Sequence, residues 1–213
     1  MLKYETLEVT PFPQNCRIIW CSETREAVVV DPGGEATRIE ARVKSLGLTC
    51  RAIWLTHSHL DHCGGVAPLR EELGIEKLYA HPAEEQFRST VVSVAAMYGL
   101  PTVDWSNCPE PTDHIRGGEQ LSVGRCVAQV LATPGHSPGS VSFYFQADKL
   151  VLCGDALFAG SIGRTDLPGG NHRQLLESIK RELLALDDSI GVLSGHGPDT
   201  TIGDERRNNP FLR

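Results

Sequence analysis

The chain has 213 residues, 40% of them apolar and 22% charged, with a net charge of −7. This balance argues against a disordered polyelectrolyte, and an acidic chain without a Lys/Arg block is poorly suited to gripping a nucleic-acid backbone. No stretch reaches the ~18 apolar residues of a membrane span, so neither nucleic acid nor membrane is an expected partner. The opening segment lacks a basic n-region followed by an apolar run, so no secretory signal is expected. Seven cysteines without a Cys-x-x-Cys pair read as reduced thiols of a cytoplasmic protein.

In chain order, residues 27–30 (AVVV) read as a buried strand ended by Asp31-Pro32-Gly33-Gly34. A helix follows with Ile39, Val43 and Leu46 on one face and Gly47 as its stop. Residues 52–55 (AIWL) form a second buried strand, 66–73 a helix ended by Gly74, and 77–80 a strand cut off by His81-Pro82. Residues 84–98 show helical spacing at Phe87, Val91, Val94 and Tyr98, which points to core packing. The second half is richer in strands: 119–123, 126–131, 140–145 and 149–153 are separated by Gly, Pro or polar breaks. A helix over 172–184 then buries Leu175, Leu176, Ile179 and Leu183 and is capped by Asn171. A last strand, 189–193, runs into Gly195-His196-Gly197. The pattern suggests two sheets covered by outer helices, and periodicity does not separate this from a single-sheet α/β fold.

Directly after the AIWL strand, Thr56-His57-Ser58-His59-Leu60-Asp61-His62 packs four metal donors into six residues. Imidazole and carboxylate together suit Zn, Fe or Mn. Three further donors also follow strands in Gly-rich turns: His136 in TPGHSPG, Asp155 in CGD and His196 in SGHGP. Strand ends give the rigid base that metal geometry demands. His81, His114 and His172 sit in loop or helix-start contexts and read as surface residues. Cys63 and Cys153 read as small buried residues.

The ordered set His-x-His-x-Asp-His, His136, Asp155, His196 resembles the metallo-β-lactamase superfamily. Gly154-Asp155-Ala156-Leu157-Phe158, Gly163-Arg164-Thr165-Asp166 and Gly203-Asp204-Glu205-Arg206-Arg207-Asn208-Asn209-Pro210-Phe211 narrow the likeness to the short, single-domain type II glyoxalases, the hydroxyacylglutathione hydrolases. The resemblance spans essentially the whole chain. It implies a mixed α+β (α/β) fold, a four-layer αββα sandwich, as one domain over 1–213 without the C-terminal helical domain of two-domain glyoxalases II.

It also implies two divalent metal ions, with Zn the first expectation and Fe or Mn the alternatives. His57, His59 and His136 would hold one, Asp61, His62 and His196 the other, and Asp155 would bridge them. Two cations, two carboxylates and one hydroxide leave about one net positive charge, which suits an electron-rich carbonyl. By the same likeness a metal-held hydroxide attacks a thioester, S-D-lactoylglutathione or a related hydroxyacyl-glutathione, with Asp61 orienting it and taking its proton. Arg164 is the expected contact to the glutathione portion; pairing with Asp166 to shape the loop is the competing role. Two other activities share these residues. One is a mononuclear-iron persulfide dioxygenase using His57, His136 and Asp155. The other is a lactonase, whose ester needs the same nucleophile. A secreted β-lactamase is disfavoured, because Asp155 stands where many of those enzymes carry Cys.

Overall fold

The computed structural model describes residues 1–213, apart from the side chain of Asp104. The chain groups into two compact units, Met1–Ile115 with Ser122–Cys126, and Arg116–Leu121 with Val127–Arg213.

The first unit holds a six-stranded sheet in sequential order: β1 (Leu2–Val9), β2 (Gln14–Cys21), β3 (Glu26–Val30), β4 (Thr49–Trp54), β5 (Lys77–Ala80) and β6 (Asp113–His114). β1, β2 and β3 pair antiparallel, and β3 through β6 run parallel. Parallel neighbours need crossovers, and helices supply them. They are α1 (Ala36–Ser45) after β3, α2 (Leu60–Cys63) and α3 (Val66–Leu73) after β4, and α4 (Glu85–Ser89) and α5 (Val91–Met97) after β5. Ile39 and Val43 of α1, Val66 and Leu69 of α3, and Val91 and Ala95 of α5 join Ile18, Val29, Ile53 and Leu78 of the sheet in one core. Val30, Trp54 and Tyr79 lie level across β3, β4 and β5, so these three strands end side by side. In open sheets the loops leaving such carboxyl ends form the usual ligand crevice.

The second sheet has the order β14-β13-β10-β9-β8-β7, built from β7 (Gln120–Val123), β8 (Cys126–Ala132), β9 (Val141–Phe145), β10 (Leu150–Gly154), β13 (Gly191–Ser194) and β14 (Thr200–Thr201). Between β10 and β13 lie a small hairpin, β11 (Leu157–Phe158) with β12 (Ser161–Ile162), and α6 (His172–Ser178). β10 and β13 are parallel, and Gly154 pairs with Ser194 at their common end. Leu175, Ile179 and Leu183 pack with Val151, Cys153 and Val192 into the second core. The Asn171 side chain caps α6 by accepting from the Gln174 amide at 3.0 Å. The helix then widens into one π turn, Ile179–Leu183, whose two terminal apolar residues are fully buried.

The structure adds elements that periodicity does not reveal. β2 is buried on nearly every residue and contains Gln14, Asn15 and Arg17, so it shows neither alternation nor an apolar run. The C-terminal helix α7 (Ile202–Asn208) turns mainly Ile202 and Glu205 inward, too few for a helical stripe. The expected helix over 84–98 is a 3₁₀ turn, Pro82–Glu84, followed by α4 and α5. Thr90 interrupts it with φ −116° and bonds its hydroxyl back to the Gln86 carbonyl at 2.7 Å. Among the described residues no helix is long and apolar enough to cross a membrane.

Candidate metal centre

In the first unit the donors stand on the loop and short helix after β4. Leu55 closes the ladder by donating to the Tyr79 carbonyl at 3.0 Å, after which the chain leaves the sheet. His57 is 2% exposed and His62 fully buried, with ring centroids 4.0 Å apart, and the His59 ring meets that of His57 at 4.8 Å. Asp31, at the end of β3, organises them. Its Oδ1 accepts the Thr56 amide at 2.7 Å, and its Oδ2 accepts the Thr56 hydroxyl at 2.6 Å and His62 Nδ1 at 3.0 Å. Because the Thr56 hydroxyl donates to Asp31, its lone pairs face His57 Nδ1 at 3.1 Å. One carboxylate thus sets the tautomer of two imidazoles and leaves both Nε2 lone pairs for a ligand, the usual outer-sphere role in metal sites. One ligand atom from each of Asp31, His57 and His62 falls within 4.8 Å of the others.

Asp31 holds φ at 52°, a left-handed value that Asp tolerates better than most residues. The turn after it presses on the metal loop. A Cβ on Gly33 would lie 1.5 Å from the Asp61 carbonyl oxygen, and Gly65 donates to the Pro32 carbonyl at 2.9 Å. Sequence reading treats Asp31-Pro32-Gly33-Gly34 only as a strand stop. The overlooked signal is an acidic residue directly after a buried strand, followed by two glycines.

In the second unit His136 lies in the β8–β9 turn, Asp155 follows β10 and His196 follows β13, all at one end of the sheet. His136 Nδ1 donates to the Arg164 carbonyl at 2.7 Å, which turns Nε2 the other way. That Nε2 lies 3.6 Å from Asp155 Oδ2, and His196 Nε2 lies 3.5 Å from the same oxygen. Both spacings are too long for a good hydrogen bond. Each matches a pair of ligands that share an ion: bonds of ~2.1 Å at a tetrahedral angle place ligand atoms about 3.4 Å apart. The donor set therefore fits divalent cations. Gly163 makes the approach possible, since a Cβ there would sit 1.9 Å from the Asp155 carbonyl oxygen and 3.1 Å from His136 Nδ1.

Glu205, in the 203–211 motif, is a buried carboxylate that stiffens the loops on either side of these donors. It accepts from the Gly160 amide at 2.9 Å, from Asn209 Nδ2 at 2.7 Å and from the Thr200 hydroxyl at 2.7 Å. The Arg164 side chain forms a two-pronged pair with Asp166 at 2.8 and 2.7 Å, and this guanidinium holds the Asp166 carboxyl down at about 2. Cys63 and Cys153 are buried; Cys63 gives its S–H to the Ser58 carbonyl, and burial pushes its thiol well above the ordinary range. His114 and His172 are exposed, and His81 Nδ1 accepts from the Ala83 amide at 3.1 Å.

Residues 9–196 match the model of the metallo-β-lactamase superfamily. The chain belongs to the metallo-β-lactamase superfamily. A hydroxyacylglutathione hydrolase, GloC of Haemophilus influenzae, is 38% identical over 217 residues, covering 99% of this chain and 98% of that protein. Among solved structures, the B3 metallo-β-lactamase BLEG-1 superposes with a TM-score of 0.88 at 39% identity, covering 99% of each chain. TTHA1623 in a di-iron-bound form gives 0.88 at 40% identity, covering 98% of this chain and 100% of that one. The superfamily likeness settles the mixed α/β fold, and with the donor clusters it identifies the chain as a metal-binding hydrolase of this superfamily.

Proposed function

We propose that the chain, as one metallo-β-lactamase domain over 1–213, hydrolyses a hydroxyacyl-glutathione thioester, S-D-lactoylglutathione being the first candidate. His57, His59 and His136 hold one divalent ion, Asp61, His62 and His196 a second, and Asp155 serves both; zinc is the first choice and iron the next. The observation that carries the reading is the Asp155 carboxylate, whose Oδ2 is bracketed by two imidazole Nε2 atoms at 3.6 and 3.5 Å. The similarity to GloC over nearly both full lengths supports the substrate class. The seven free thiols suit a reducing cytoplasm.

Bound there, the cations would bring the pKa of water towards ~7 and polarise the thioester carbonyl. Asp61 orients the attacking water and accepts a proton as oxygen adds to the carbonyl carbon. The C–S bond then breaks, and the glutathione thiolate leaves to be protonated. The oriented Nδ1 hydrogens of His57, His62 and His136 keep the Nε2 lone pairs aimed while this happens. Arg164 binds a carboxylate of glutathione by exchanging its Asp166 partner, an exposed pair that costs little to open.

The test is steady-state hydrolysis of S-D-lactoylglutathione by zinc- and iron-loaded protein, with dissolved oxygen followed in parallel. Thiol release without oxygen uptake is expected, and Arg164→Ala should raise KM more than it lowers kcat. Oxygen consumption with glutathione persulfide and no thioester cleavage would replace the reading with a dioxygenase.

A further inference from the structure

The first unit holds a second buried acid aimed at the metal loop from the opposite flank to Asp31. β5 ends level with β4, and the 3₁₀ turn after it delivers Glu84, fully buried. Glu84 Oε2 accepts the backbone amide of Ser58 at 2.9 Å. Ser58 is itself fully buried and stands between His57 and His59. Its carbonyl takes the Cys63 S–H at 3.3 Å, so both of its peptide groups are tied. Asp31 bonds Thr56 and His62, and none of its bonds goes to Ser58 or His59. The neighbouring Phe87, on the helix that Glu84 starts, sets its ring edge-on to His59 at 5.2 Å.

The division of labour follows from strand order. β3 and its Asp31 fix the beginning and end of the loop, and β5 and its Glu84 fix the middle, from which His57 and His59 diverge. We propose that Glu84 is a positioning residue that sets the spacing of His57 and His59, and thereby the affinity of the ion those two hold. This rests on the binuclear reading above. Outer-sphere partners of this kind are worth about 10- to 100-fold in metal affinity when removed.

The experiment is a Co(II) titration of chelator-stripped wild type, Glu84→Ala, Glu84→Asp and Glu84→Gln, read by visible absorption and calorimetry, with circular dichroism of the metal-free proteins as control. Glu84→Ala should weaken one of two equivalents about 10- to 100-fold and leave the other within about threefold. Glu84→Asp withdraws the carboxyl by one methylene and should show the same selective loss, so it carries the test if the alanine variant does not fold. Glu84→Gln keeps an oxygen for the Ser58 amide and should bind both equivalents like wild type. Unaltered binding by Glu84→Ala or Glu84→Asp, or a Glu84→Gln defect equal to either, overturns the role. Wild-type stoichiometry reads separately: fewer than two equivalents contradicts the binuclear proposal, whereas two equivalents with unaltered variants contradicts only the role of Glu84.

Discussion

On the binuclear proposal, Asp155→Ala is expected to lose the tightly bound metal and to lower kcat/KM by about 10³-fold or more, while circular dichroism stays that of wild type. The size follows from what the carboxylate does. It stands 3.6 Å from His136 Nε2 and 3.5 Å from His196 Nε2, so in the proposed binuclear site its removal would take one shared ligand from both ions. Losing metal assistance forfeits several kcal/mol of transition-state stabilisation, which is a factor of about 10³. Elemental analysis after gel filtration and the thioester assay read the two effects together. A variant that keeps one ion at full occupancy and half the activity would show that Asp155 serves a single site.

Gly33→Ala is the second large effect, and it acts through backbone. The new Cβ would start 1.5 Å from the Asp61 carbonyl oxygen and 2.4 Å from its carbonyl carbon, where no flexible side chain can yield. Either the Pro32–Gly34 turn or the Asp61–His62 peptide must move by more than an ångström. Overpacking of this kind costs about 3 kcal/mol, and in a chain of this size ~2–4 °C of melting temperature is lost per kcal/mol. A drop of ~6–12 °C in the metal-free melting temperature is expected, with weaker uptake of the ion proposed to sit on Asp61 and His62. Differential scanning calorimetry with and without metal checks it. A wild-type melting temperature would mean that the turn and the metal loop are not wedged together.

The metal loop was legible because four donors crowd six residues after a buried strand, a density that surface solvation does not explain. The residues that orient those donors were not. Asp31 and Glu84 reach the loop across 25 and 26 positions. Their relation depends on β3, β4 and β5 being neighbours with level ends, a fact of strand order that no local pattern encodes. Element boundaries followed the same logic. The α1 and α3 helices ended where Gly47 and Gly74 adopt φ +62° and +64°, as turn chemistry demands. The stretch 84–98 carried one helical period although Thr90 breaks it. β2 hid because its buried positions include an amide, an asparagine and an arginine. The helix of Glu205 carries too few apolar residues to be read from periodicity, yet three hydrogen bonds converge on that one carboxylate.

Crystals of the protein as purified, measured at the absorption edges of zinc, iron and manganese, give the most direct reading. Two anomalous peaks are predicted, one within bonding distance of His57, His59 and His136, the other of Asp61, His62 and His196, with Asp155 reaching both. A single peak, or peaks ligated by other side chains in protein that still cleaves the thioester, would contradict the binuclear hydrolase.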